Sequence, residues 1–170
     1  SGVETCLRAA FGLNEGPLPM IVRDALYSAY EDAGWSLYDV GGVEGPPPPT
    51  LAGLHRRALA LLASKGYAGS VAQNLKGALD VRLGSLLRGP KGRCFNTRRT
   101  VPLSLLLEQP VVLEFDALND EDKAFAMLVV LTLVREHAKA TRRSGSDLAH
   151  VLLIEEAHTV AADTVGGGRG

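Results

Sequence analysis

Apolar residues recur at helical spacing through the first two thirds of the chain. Leu18, Ile21, Val22, Ala25, Leu26, Ala29 and Tyr30 fall on one face of a 3.6-residue period, with Pro17 and Pro19 near the start and Gly34 at the stop. This predicts a helix ending near Ala33. Gly41-Gly42 and the run Pro46 to Pro49 form an extended linker, because proline fixes φ and lacks the amide donor a helix needs. Thr50 is then a natural N-cap for a second helix carrying Leu51, Leu54, Ala58, Leu61 and Leu62, closed by Gly66. Ser70 opens a third, whose Val71, Leu75, Leu79, Leu83 and Leu86 make one stripe until Gly89-Pro90 break it. No internal repeat occurs.

The pattern changes at Pro110. Val111-Val112-Leu113-Glu114-Phe115-Asp116 is a β-branched and apolar run that predicts a buried strand, and Asn119 follows as an N-cap with Asp120, Glu121 and Asp122 suited to a helix N-terminus. A long helix is expected from Asp120 to about Thr141. Its middle, Phe125 to Val134, is apolar nearly all round, as for a helix sandwiched between a sheet and another layer. After a polar turn, Val151-Leu152-Leu153-Ile154 predicts a second buried strand, over 150–155, ending in Glu155 and Glu156. Strand, helix and strand make a βαβ unit, with parallel strands in one sheet and a right-handed crossover.

Composition narrows the class. A chain of 170 residues with 46% hydrophobic and 22% charged residues is neither disordered nor collagenous and can bury a core. The longest apolar run, Ala124–Val134, is interrupted by Thr132 and falls well short of the roughly 20 residues of a membrane span, so a soluble protein is expected. Ser1-Gly2 begins no secretory signal, and the missing Met suggests an excised piece. Two lone cysteines, Cys6 and Cys94, without C-x-x-C spacing favour a reducing, cytoplasmic setting.

Charge is segregated. Residues 1–45, 46–107 and 108–170 carry net charges of −5, +9 and −5. The basic middle therefore faces something anionic, either nucleic acid or the acidic blocks themselves. Arg82, Arg88, Lys91, Arg93, Arg98 and Arg99 stand with no acid among residues 81–99, as phosphate contacts require, though a solvated loop would look the same. Only Phe95 is there to stack on a base.

Catalytic chemistry is suggested by the second apolar run. In open α/β sheets the ligand site lies beyond the carboxyl ends of the strands, where Glu155, Glu156 and His158 fall. Adjacent carboxylates at that place suit a magnesium nucleotide; the plain alternative is a solvated helix start. Asp116 lies nearer the carboxyl end of its strand than Glu114 and is the one expected to touch the site, with Glu114 paired to a base.

The stretch from Pro110 to His158 resembles the HerA/FtsK-type branch of P-loop ATPases, hexameric DNA-translocating motors. It carries VVLEFD, then NDEDKAFAMLVVLTLVREHAKA, then LAHVLLIEEAH. An early LP-x-x-V helix, the Gly34-Trp35 turn, Pro49-Thr50-Leu51 and a helix ending Arg82-Leu-Gly-Ser-Leu-Leu are more loosely similar to the helical region between the Walker A and Walker B elements. The resemblance implies an α/β chain: a helix-rich subdomain over 1–107 and a partial RecA-like P-loop core with parallel strands over 108–170. It implies ATP and Mg²⁺, with Glu155 holding the metal shell beside Asp116, Glu156 polarising the attacking water and His158 assisting catalysis. It also implies a duplex or single strand in the pore, a homo-hexameric ring and a nuclease partner, and the charge pattern offers Arg88, Lys91, Arg93, Arg98 and Arg99 for the DNA contact.

The chain departs from that family at two places. No G-x-x-x-x-G-K-[ST] occurs, since Gly89-Pro-Lys-Gly92 has the wrong spacing for a phosphate cradle, and the chain stops before a sensor strand or arginine-finger region. The expectation is therefore an internal fragment of a longer ATPase, inactive alone. The competing expectations are a non-enzymatic helical interaction or regulatory module, and a same-branch ATPase serving phage defence or protein transport.

Overall fold

The computed structural model describes residues 2–13, 16–36, 38, 45–99, 101–140 and 150–157. Among these, 66% are helical and none lies in a strand. The chain divides into two units, one of residues 13–100 and one of residues 1–12 with 101–170.

The 13–100 unit holds four helices: α2 (Leu18–Asp32), α3 (Leu51–Ser64), α4 (Gly69–Ser85) and α5 (Gly89–Phe95). The apolar face of α2, from Leu18 through Ile21, Val22, Ala25 and Leu26 to Ala29, is buried against α3, which contributes Leu54, Ala58 and Leu62. On its other side α3 packs against α4, where Leu79 and Leu83 are fully buried, as is Leu86 just beyond its end. Val71 at the start of the α4 stripe stays exposed, so the stripe is buried only over its last two turns.

Each boundary has a local cause. Gly34 takes φ +92, a conformation open to glycine, and lets the Trp35 N–H reach back to the Tyr30 carbonyl at 3.0 Å, closing α2. The Pro46–Pro49 run is irregular, as expected, and Thr50 caps α3 by accepting from the Gly53 N–H at 3.2 Å. Gly89-Pro90 does break α4, but Gly89 at φ +60 also restarts the chain as the short helix α5, with proline in its first turn where no amide donor is needed.

The other unit contains α1 (Gly2–Phe11), α6 (Leu103–Glu108) and the long α7 (Asp120–Ala140). α1 lies on α7 through the tilted ring pair Phe11–Phe125, 5.4 Å apart, and Cys6 Sγ, 3.4 Å from Thr132 Oγ1. Gly2 makes the close approach possible, for a Cβ there would sit 2.6 Å from Thr132 Cγ2. Asn119 caps α7, its Oδ1 accepting from the Asp122 N–H at 2.9 Å. No helix among the described residues is long and apolar enough to cross a membrane.

The expected α/β architecture is overturned here. Residues 111–115 and 151–154 are extended but make no ladder and no sheet among the described residues, so a RecA-like core of parallel strands is not what this chain forms. The physical reason is coverage. Strands of a parallel sheet are buried on both faces and hydrogen-bonded to neighbours, and two strands by themselves are marginal. Here Val112 is 84% and Leu153 85% exposed, while Val111 and Ile154 are 42% and 38% exposed. Exposure alternates with period two, as on extended chain with one face partly shielded and the other bare.

Candidate functional site

The two extended segments line one cleft, and a side-chain hydrogen bond stands near each end of the second. At one end the His150 Nδ1–H donates to the Leu107 carbonyl at 3.3 Å, just before the first segment. At the other end Lys123 Nζ donates to Glu156 Oε2 at 3.1 Å, beyond the second segment, and also feels the charge of Asp116, beyond the first. A Leu118 N–H to Phe115 carbonyl bond of 3.0 Å turns the chain from the first segment into α7. Both segments and the α7 side chains Met127, Val130, Leu131 and Val134 line a cleft of about 990 Å³.

Lys123 is the center of the acid end. Set in the first turns of α7 with its side chain 19% exposed, it is held above the usual lysine value by the hydrogen bond to Glu156 first, then by that carboxylate's charge and those of Asp116 and Asp120. Glu156 has φ +50, the one positive φ outside glycine among the described residues. For a glutamate this is an uncommon, strained conformation of the kind that concentrates at functional sites. Glu155 is exposed and makes no ion pair or side-chain hydrogen bond among the described residues. His158 lies outside the described residues.

These groups do not assemble a magnesium site. Among the described residues no three histidine, cysteine, aspartate or glutamate side chains stand close enough to share a metal ion, and Glu156 turns an oxygen to an ammonium group. Mg²⁺ keeps near-octahedral oxygen ligation, which a single free carboxylate does not define. The sequence also offers no phosphate cradle. The structure thus brings Asp116 and Glu156 to one lysine but does not gather Asp116, Glu155 and Glu156 as a ligand set.

The predicted nucleic-acid residues all belong to the 13–100 unit. Arg88 immediately precedes α5, Lys91 and Arg93 lie on it, and Arg98 and Arg99 follow it. α5 is anchored where it ends, because Asn96 Oδ1 accepts from the Ala52 N–H of α3 at 2.9 Å. Thr97 Oγ1 accepts from the Arg99 N–H at 3.0 Å and donates to the Arg99 carbonyl at 3.1 Å, which fixes the backbone around Arg98. Arg98 thereby lines a cleft with Arg56 and Arg57 of α3.

Three candidate site groups escape a sequence reading. Lys123 had one weak signal, being the lone base among the acids that open α7. Arg56 and Arg57 are adjacent on the polar face of α3, but that Arg57 forms a two-point pair with Asp32 of α2 depends on the packing of the two helices. No protein-family model matches this chain, and no curated protein or solved structure matches it either.

Proposed function

We propose that this chain is the DNA-contacting part of an ATP-dependent translocating motor of the HerA/FtsK type, with the 13–100 unit meeting backbone phosphates. The observation that carries this is how the unit's charges are paired. Asp32 is taken by Arg57, Asp80 by His55 at 2.9 Å, and Asp24 by Arg23 at 3.6 Å and Lys65 at 3.9 Å. Arg88, Arg93, Arg98 and Arg99 form no ion pair among the described residues. Internal matching therefore uses other bases, and this group is left with its charge unspent. Guanidinium groups so placed match phosphate oxygens in geometry and charge.

The test is fluorescence polarisation of a labelled duplex at two salt concentrations. On the order of 3–5 neutralised phosphates gives a log–log salt slope of roughly −3 to −5. Changing Arg93, Arg98 and Arg99 to Glu is expected to abolish binding. Unchanged binding in that variant sinks the proposal.

We infer as a second reading that the acid end serves hydrolysis in the motor; what supports it is the positive φ of Glu156 and its pairing with Lys123. A carboxylate that polarises water is worth roughly 10²–10⁴ in rate. In the full gene product Glu156→Gln is expected to lower ATP turnover by that factor and leave nucleotide binding nearly intact. Turnover near the parental rate would show that Glu156 is only the partner of Lys123.

A further inference from the structure

The 13–100 unit has a cleft of about 580 Å³ where the end of α2 meets the start of α3. Its floor is apolar, with Ala29, Ala33 and Pro49, and its charged groups are Arg56, Arg57, Arg98 and Asp32. Asp32 and Arg57 neutralise one another through two hydrogen bonds. The other two guanidiniums, Arg56 and Arg98, have no hydrogen-bond or ion-pair partner among the described residues, though Arg56 also feels the Asp32 charge, and the cleft keeps a net charge of +2.

The start of α3 adds little to this. Its Ala52 N–H already donates to Asn96 Oδ1 and its Gly53 N–H to Thr50 Oγ1. An anion in the cleft must be held by side chains. The Asn96 anchor before Arg98 and the Thr97–Arg99 turn around it fix the backbone there, so binding has only the Arg98 side chain left to order.

We propose that this cleft seats one phosphate group between the Arg56 and Arg98 guanidiniums, and that the phosphate belongs to a DNA backbone, which rests on the DNA-contact reading above. The chemistry selects phosphate over carboxylate. A phosphate diester carries its charge on oxygens held tetrahedrally and can accept from both guanidiniums at once, and with a cleft charge of +2 it is the better matched of the two anions when the phosphate is a dianion or part of a polyanionic backbone.

Arg56 lies outside the 88–99 group, and that separates the two proposals. Duplex polarisation is measured on the parent chain and on Arg56→Gln, Arg56→Lys and Arg93→Gln, beside thermal-shift titrations with inorganic phosphate and pyrophosphate. Circular dichroism establishes that each variant is folded. The expected result is that Arg56→Gln weakens duplex binding roughly tenfold and lowers the salt slope by about one, while Arg56→Lys keeps the slope and loses part of the affinity. Parental binding by Arg56→Gln, with Arg93→Gln impaired, overturns the cleft and leaves the DNA reading standing. A parent that ignores duplex but is stabilised by phosphate or pyrophosphate, with the effect gone in Arg56→Gln, overturns the DNA source and supports the seat for a free phosphate. No difference between parent and Arg56→Gln toward any of these ligands overturns the cleft outright.

Discussion

The 13–100 unit and the region around α7 treat their apolar residues in opposite ways. In the first, the stripes of α2, α3 and α4 meet and Ile21, Val22, Ala58, Leu79 and Leu83 are removed from water altogether. In the second, α1 and α7 close on one another, yet Val112, Val151 and Leu153 stand bare beside them. A helix satisfies its own backbone and needs a partner for only one stripe, so a few helices can complete a core. A strand inside a parallel sheet needs hydrogen-bonded neighbours at both edges and cover on both faces. Where those are lacking, the same kind of apolar string stays exposed.

Truncations on the two sides should therefore differ most. Leu83→Ala removes a fully buried side chain in the 13–100 unit and is expected to cost about 2–5 kcal/mol, read as a lower urea midpoint with an unchanged slope. Leu153→Ala, at a position 85% exposed, should change stability by less than about 0.5 kcal/mol. A large loss from Leu153→Ala would mean that something covers the segment in solution, and the contrast would fail.

How far the sequence could lead follows from the same contrast. Periodicity at 18–30 and 51–62 reports which side chains a helix will hide, and α2 and α3 hide them. The run 111–115 reports only that its side chains are apolar; the string is the same whether or not neighbouring strands are present, so the expected sheet was not a local property. α1 was legible, for Val3, Cys6, Leu7, Ala10 and Phe11 stand at i, i+3, i+4, i+7 and i+8, whereas α6 is too short to show a period and α5 lay behind a Gly-Pro break that also serves as a helix start. The acid end was visible as a string, Glu155-Glu156, but its ammonium partner comes from 33 positions away and its strain from the backbone. The Arg56–Arg98 cleft joins residues whose only link in sequence is their charge.

A cap should give a smaller effect than a core truncation, on the α7 side. Asn119→Ala removes the acceptor for the Asp122 N–H at the start of a 21-residue helix and is expected to cost about 1 kcal/mol. Asn119→Asp keeps an acceptor and adds a negative charge at the positive helix end, so it should restore the loss. Thermal melts of the two variants against the parent measure both. Equal melting of Asn119→Ala and parent would show that the α7 start is held by packing alone, which would make the region less dependent on local signals than its exposed segments suggest.

The smallest effect tests the polar seam of the better closed unit. The Arg57 guanidinium hydrogen-bonds Asp32 and holds its carboxyl below the ordinary value of 3.8. A lowered folded value means that the unfolded chain takes up the proton first as pH falls. The pair's contribution is therefore present above 3.8 and lost as pH drops through the lower folded value. Both side chains are about half exposed, so the gain is small and salt weakens it further. Arg57→Gln should melt slightly below the parent at pH 7, with the gap narrowing in 1 M salt and closing in strong acid, where Asp32 is neutral in both. A gap that persists in acid would assign the loss to the packed stem of Arg57 instead of its charge, and α2 would then be joined to α3 by apolar contact throughout.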